Sequence, residues 1–231
     1  ETHFEPVVIS MRDPAVPLGD LKRSKRFEPL VRKRPDLVVY EAQRGGVTCY
    51  FLESSLDEPG RNAFHKELWD RYRVRSEKAA YWEYYQRLNA FWYHVPAVAE
   101  WLSAKGEISV IDAQDWLAFP AGFLCKEKIG APLLCRFHSG EIGRSLGHPD
   151  YDSPALAIEA AALQEADYVQ GVSIGEAKFE IYNLLPLKQR VTAELAASKS
   201  ESWRQEQRRK DERYEEFVLL EADDLALITQ N

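Results

Sequence analysis

A histidine, a carboxylate, two glycines and an arginine fall within seven residues, from His138 to Arg144 (HSGEIGR). Glycine permits tight turns and close approach of another group to the backbone, and histidine titrates near neutral pH. The stretch follows a short apolar segment, Pro132 to Phe137, that is typical of a strand. It predicts a polar loop at a strand end, suited to chemistry on a ligand; the alternative is a tight turn with a hydrogen-bonded histidine.

Polar residues also follow two other strand-like segments. Asp115 and Trp116 come shortly after Ile108 to Asp112 (ISVID), and Ser173 follows Tyr168 to Val172. In a parallel α/β sheet the ligand crevice lies beyond the carboxyl ends of the strands, so these residues are candidates for one site. The alternative is structural, since Asp and Ser commonly cap the helix that follows a strand.

Several kinds of site are excluded by spacing. His148 is the nearest histidine to His138, and no Cys-x-x-Cys pair occurs, so a zinc site is not indicated. No Gly-rich dinucleotide or Walker loop is present, and no Gly-x-Ser-x-Gly elbow. The net charge of −7 argues against a general binder of nucleic acid backbones.

The cysteines and the hydrophobic pattern indicate a soluble, cytoplasmic protein. Cys49, Cys125 and Cys135 lie in apolar, strand-like segments, so buried reduced thiols are expected rather than a disulfide framework. No apolar run is long enough to span a membrane, and no leader opens the chain.

The spacing of apolar residues predicts the strands and helices that position the candidate residues. The N-terminal part predicts a strand (4–10), a proline-rich connector (11–36), a hairpin (37–41 and 47–53) and a helix (76–102) kinked or split at Pro96. From residue 107 short strands alternate with helices at about 116–128, 154–165 and 174–184. Such βαβ units predict an α/β fold with a doubly wound, Rossmann-like, mostly parallel sheet and helices on both faces.

The segment from 187 to 216 is highly charged and lacks Gly and Pro. It predicts one long exposed helix or a helical hairpin, solvated on its surface. A subunit contact that forms a homo-oligomer is the alternative for this segment. Two strand-like stretches, Glu216 to Leu220 and Ala226 to Thr229, follow it.

Taken in order, the motifs resemble the N-terminal half of the two-domain (GT-B fold) retaining glycosyltransferases that include glycogen and starch synthases. The resemblance rests on FEPVVISMRD, YEAQRGGVTCYFLESSLDEPGR, VIDAQDW, LLCRFHSGEIGR, EAAALQEADYVQGVS and the final ALITQN. Asp115 and Trp116 match the family's Asp-Trp pair, whereas Asp112 and Gln114 stand where the family commonly has histidines. That departure points to a different acceptor or subfamily.

The resemblance implies transfer of a glucosyl group from ADP-glucose or UDP-glucose to an α-glucan or another sugar, with retained configuration. His138 would touch the donor sugar, and Asp115 would orient it or stabilise developing positive charge. Substrate contacts are implied for Trp116, Ser139, Gly140, Glu141 and Arg144 in the same cleft. No metal and no cofactor besides the nucleotide sugar is implied.

By the same resemblance, residues 1–231 would be the acceptor-side half of a longer enzyme and inactive in isolation. The family's first strand would precede residue 1, and its donor-binding domain would follow residue 231. The implied partners are a sugar nucleotide and a carbohydrate acceptor, with neither nucleic acid nor membrane.

A rival function is a noncatalytic carbohydrate-binding or regulatory module derived from such a half. The stretch from Phe64 to Trp101 contains 11 of the 27 aromatic residues and would hold a polysaccharide. Aromatic side chains at helical spacing also suit a core. An exposed aromatic row would indicate the module, and a shared strand-end crevice for Asp115 and His138 would indicate the enzyme.

Overall fold

A computed structural model describes residues 5–78, 82–106, 108–145, 150 and 153–219. These residues form an α/β protein with one mixed sheet and one parallel sheet, accompanied by eight α-helices. The α/β class expected from the sequence is therefore confirmed.

The N-terminal residues form a mixed sheet with the strand order β1–β4–β3–β2. Its strands are β1 (Val7–Met11), β2 (Lys22–Arg23), β3 (Leu37–Arg44) and β4 (Val47–Ser54). β1 runs parallel to β4, and the other pairs are antiparallel. The predicted hairpin is confirmed: β3 and β4 are joined through Gly45 and Gly46, whose φ angles of +56° and +83° suit glycine. The connector before it also contains β2 and a short helix, α1 (Glu28–Lys33).

The second sheet contains three parallel strands in the order β5–β6–β7. These are β5 (Ile111–Gln114), β6 (Leu133–Phe137) and β7 (Tyr168–Gly171). Helices α4 (Phe119–Ile129) and α6 (Pro154–Glu165) provide the crossovers, as the βαβ pattern predicts. β5 begins three residues later than expected, so Ala113 and Gln114 belong to the strand itself.

Two helices connect the sheets, and three lie in the C-terminal half. They are α2 (Glu58–Tyr72), α3 (Trp82–Ser103), α5 (Glu141–Arg144), α7 (Ile174–Leu195) and α8 (Glu201–Leu219). Pro96 lies inside α3 without splitting it. α7 continues eleven residues past its predicted end at Leu184, through Pro186. α8 includes residues that were expected to form a strand from Glu216, so that prediction is wrong. The strand predicted at 226–229 lies outside the described residues.

One hydrophobic core serves both sheets. Trp92 of α3 is fully buried and donates its indole N–H to the carbonyl oxygen of Leu117, 2.7 Å away, beside the second sheet. Leu52 of β4 and Cys135 of β6 belong to the same core. All three cysteines are buried and free of disulfides, as expected.

The charged C-terminal segment forms a helical hairpin, but it is not simply solvated. Lys188 of α7 is fully buried, and its ammonium group donates to Asp211 of α8. Lys210 of α8 donates to the carbonyl oxygens of Gln164 and Ala166, at the C-terminal end of α6. Burial lowers the pKa of Lys210 to about 8. These contacts fasten α8 to the helices behind the parallel sheet, so the expectation of a wholly exposed helix is wrong.

The strands do not form one continuous sheet among the described residues. β1 and β5 are edge strands of separate sheets, although Ile9 and Ile111 pack against the shared core. None of the helices described here is both long and apolar enough to cross a membrane.

Gly171→Ala tests how closely α7 packs on β7. A Cβ at Gly171 would lie 2.8 Å from the backbone nitrogen of Ala177 and 2.9 Å from its Cβ. We expect a loss of about 1–3 kcal/mol in the free energy of unfolding, typical of overpacking, measured by urea denaturation. Gly106→Ala is the matched control, because a Cβ at Gly106 would meet no atom within 4 Å. Equal stability of the two variants would contradict this packing.

Candidate functional site

The carboxyl ends of β5 and β6 bring two of the predicted site residues together. The backbone N–H of His138 donates to Oδ1 of Asp115 across 2.8 Å. The His138 Nε2 atom lies 2.6 Å from Oε1 of Gln114, to which a protonated Nε2 donates. The structure thus places Asp115 and His138 side by side, each directly after one of two adjacent parallel strands, at the edge where α/β sheets bind ligands. The imidazole is exposed.

Asp115 adopts a left-handed backbone conformation with φ of +59°. Asp and Asn tolerate this region better than other residues with a Cβ. Its carboxylate binds His138 and does not cap α4, whose N-cap residue, Ala118, makes no side-chain cap. Ser173 does cap a helix, since its Oγ accepts from the backbone N–H of Glu176 at 3.1 Å. The capping interpretation therefore holds for Ser173 and fails for Asp115.

The turn after β6 leads into the single-turn helix α5 and is held by Glu159 of α6. Both carboxylate oxygens of Glu159 lie 2.9 Å from the backbone nitrogen of Glu141, which donates to them. Arg144 donates to the carbonyl oxygen of Ser139 and, across 3.0 Å each, to the carboxylates of Glu141 and Glu159. Much of the hydrogen bonding of Arg144 and Glu141 is therefore directed within the turn itself.

Trp116 connects this turn to α3. Its ring stacks on Tyr85 with the centroids 5.7 Å apart and an angle of 24°. The guanidinium carbon of Arg144 lies 6.0 Å from the Trp116 ring centroid, within reach of a cation–π contact. Trp116 is partly buried, so it supports one wall of the site and leaves only part of its surface for a ligand.

The structure gives a reason for glycine in this turn that the sequence did not reveal. A Cβ at Gly140 would lie about 2 Å from the carboxyl group of Glu180, a residue of α7 that is 1% exposed. The Glu180 carboxyl group thus makes a close approach to Gly140. Gly140 is itself buried, which leaves Ser139 and His138 as the accessible part of the turn.

Two buried carboxyl groups, Glu159 and Glu180, lie beneath the turn. Burial raises the pKa of Glu159 to about 8, against the lowering effect of the Glu141 N–H and of Arg144. Burial also raises the pKa of Glu180 to about 7, with Glu176 adding to the rise. The sequence held one signal for Glu159, an acidic residue within the apolar helix PALAIEAAALQE. No comparable signal marked Glu180.

No metal site is formed by the part of the chain that the structure describes, where no three His, Cys, Asp or Glu side chains gather in a suitable cluster. His148 lies outside the described residues. A surface cavity of about 270 Å³ lies among α2, α3 and α4, lined by residues that include Phe64, Tyr93 and Leu124. None of its lining residues belongs to the predicted site.

No protein-family model matches the chain, and no curated protein matches it either.

Asp115→Ala and Asp115→Asn separate the backbone role of this residue from its charge. Asn keeps an acceptor for the His138 N–H and tolerates positive φ, so its stability should stay within about 1 kcal/mol of the parent. Ala loses both, and we expect a cost of about 2–3 kcal/mol in urea denaturation. Asp20→Ala removes an exposed ion pair with Arg44 away from the site and serves as the control. Equal losses for Ala and Asn would contradict the backbone role.

Proposed function

We propose that this chain is the acceptor-side half of a retaining glycosyltransferase similar to glycogen and starch synthases. The observation that supports this most directly is the contact between Asp115 and His138 at the carboxyl ends of neighbouring parallel strands. The resemblance predicts that these two residues share one crevice.

The chemistry requires stabilisation of an oxocarbenium-like sugar with developing positive charge. In the proposed site, the Asp115 carboxylate supplies negative charge close to the sugar and fixes the His138 backbone. His138 contacts a sugar hydroxyl through its carbonyl oxygen or its exposed ring. The diphosphate leaving group, from ADP-glucose or UDP-glucose, would bind to a separate donor-binding domain, and no metal takes part.

The remaining predicted residues have supporting roles in this proposal. Ser139 offers its hydroxyl to a ligand, while Gly140 gives the turn its compact shape. Arg144 fixes the Ser139 carbonyl, and its side chain, one-third exposed, borders the acceptor side with Glu141. Trp116 forms the wall behind them. The unusual Gln114 would influence acceptor choice, since it binds the His138 ring.

One doubly wound sheet is part of the same proposal. β1 and β5 are parallel-strand edges that border one core, and Val7, Val8 and Val110 near these edges are 44–46% exposed. Parallel strands are usually buried on both faces. A further strand between β1 and β5, supplied by the longer protein, would join the two sheets and cover these residues.

The rival carbohydrate-binding module has less support. It needs an exposed aromatic row between Phe64 and Trp101. Of the side chains described there, five are buried in the core: Phe64, Tyr72, Tyr85, Phe91 and Trp92. Of the aromatic side chains described in this stretch, only that of Tyr93 is exposed, at 39%.

The test is an activity screen of the full-length protein with ADP-glucose and UDP-glucose as donors and glycogen as the first acceptor. We expect glucose incorporation with one of the donors, and none from residues 1–231 alone. Glycogen binding without transfer would favour the module. Release of nucleoside diphosphate by residues 1–231 alone would contradict the proposed division between two domains.

In the full-length enzyme, His138→Ala and Asp115→Asn should each lower kcat by about 100-fold, the scale for removing one positioned polar group from a transition state. Asp70→Asn on α2 is the control, since its carboxylate pairs only with Lys66 on the surface in the described structure. Steady-state kinetics with the active donor measure the effect. Unchanged kcat in both site variants would exclude roles for the His138 ring and for the charge of Asp115.

A further inference from the structure

Glu180 is a buried carboxyl group without a compensating side-chain partner. It is 1% exposed, and neither of its side-chain oxygens makes a well-formed hydrogen bond in the described structure. Glu159, by contrast, accepts from the Glu141 N–H and from Arg144. A buried carboxylate without well-formed hydrogen bonds is costly, so the position of Glu180 calls for an explanation beyond packing.

The carboxyl group of Glu180 occupies the space that a side chain at position 140 would need. A Cβ built on Gly140 would lie 1.9 Å from Oε2 and 2.0 Å from Oε1 of Glu180. A Cβ on Gly143 would lie 3.8 Å from Oε1. The turn that begins at Gly140 is therefore folded directly over this group, immediately after the accessible His138 and Ser139.

We propose that Glu180 is a positioning residue of the strand-end site: its buried carboxyl group supports the turn at Gly140 and thereby fixes the backbone of His138 against Asp115. This inference rests on the site of the proposed function but not on sugar transfer. It adds a residue of α7 to a site otherwise built from the ends of β5 and β6 and from α5 and α6.

Because of the charges around Glu180, its support of the turn depends on whether its carboxyl group is protonated. Glu176 on its own helix and Asp115 after β5 disfavour the ionised form, and Glu159 on α6 interacts unfavourably with it. The backbone N–H of Gly140 and the guanidinium of Arg144 favour the ionised form, but Arg144 is shared with two other carboxylates. The protonated acid fits beneath the turn, whereas the carboxylate repels its neighbours and requires water.

The direction with pH follows from the raised pKa. Burial moves the pKa of Glu180 from 4.5 to about 7 in the folded protein. Between pH 4.5 and 7 the folded state therefore keeps a proton that the unfolded state has lost. The stabilisation that this proton provides is lost as the pH rises through the folded-state pKa. Glu159 contributes in the same direction, with its pKa raised to about 8, and the two groups titrate as a coupled pair.

Amide hydrogen exchange at His138 tests the proposal in residues 1–231. After correction for the intrinsic rate, we expect the protection factor of the His138 amide to fall at least tenfold between pH 6 and pH 8. In Glu180→Gln, a neutral side chain of the same shape, Glu159 still titrates, so the fall should be at least threefold smaller than in the parent, though not absent. Glu194→Gln, an exposed position on α7, should behave like the parent. Equal falls in the parent and in Glu180→Gln would overturn the proposal.

A second pair of variants does not depend on titration. Gly140→Ala should lower the protection factor of the His138 amide at least tenfold at pH 6, because the new Cβ collides with Glu180. In a Glu180→Ala background, where that space is vacant, the same substitution should cost less than threefold. Equal losses in the two backgrounds would show that Glu180 does not support the turn. No sugar is used in either experiment, so a failed transferase screen leaves both results interpretable.

Discussion

Carboxylates that accept hydrogen bonds from backbone amides of other elements fix the strand-end edge where the candidate site lies. Asp115 accepts the N–H of His138 after β6, and Glu159 accepts the N–H of Glu141 at the start of α5. At the opposite end of β6, Asp167 accepts the N–H of Leu133 at 2.8 Å. These hydrogen bonds satisfy three backbone amides and so fix both ends of the central strand and the turn that follows it.

The alternation of strands and helices after residue 107 could be predicted from sequence because the spacing of apolar residues differs between strands and helices. The bounds of α6 are as expected, and β6 and β7 differ from expectation by one residue. The meeting of Asp115 and His138 followed from the rule that neighbouring parallel strands end at the same edge. Their roles in a reaction remain a prediction.

Other features depend on contacts between distant residues and leave no local pattern. The Glu180 carboxyl group reaches Gly140 from a helix that begins more than thirty residues later in the chain. The division into two sheets depends on which strands pair, not on where strands form. The strand predicted at the end of α8 is wrong because Phe217 and Val218 suit a strand locally but pack against the core in the last turn of a helix.

The left-handed backbone at Asp115 has a consequence for evolutionary inference. Steric tolerance at this φ favours glycine, asparagine and aspartate over most other residues before any ligand is considered, and the hydrogen bond to His138 favours the last two. Selection for folding alone would preserve an acid or its amide here. Retention of this aspartate across a lineage would thus be weak evidence of any function, whereas the exposed His138 imidazole, which folding constrains less, would be the more informative position.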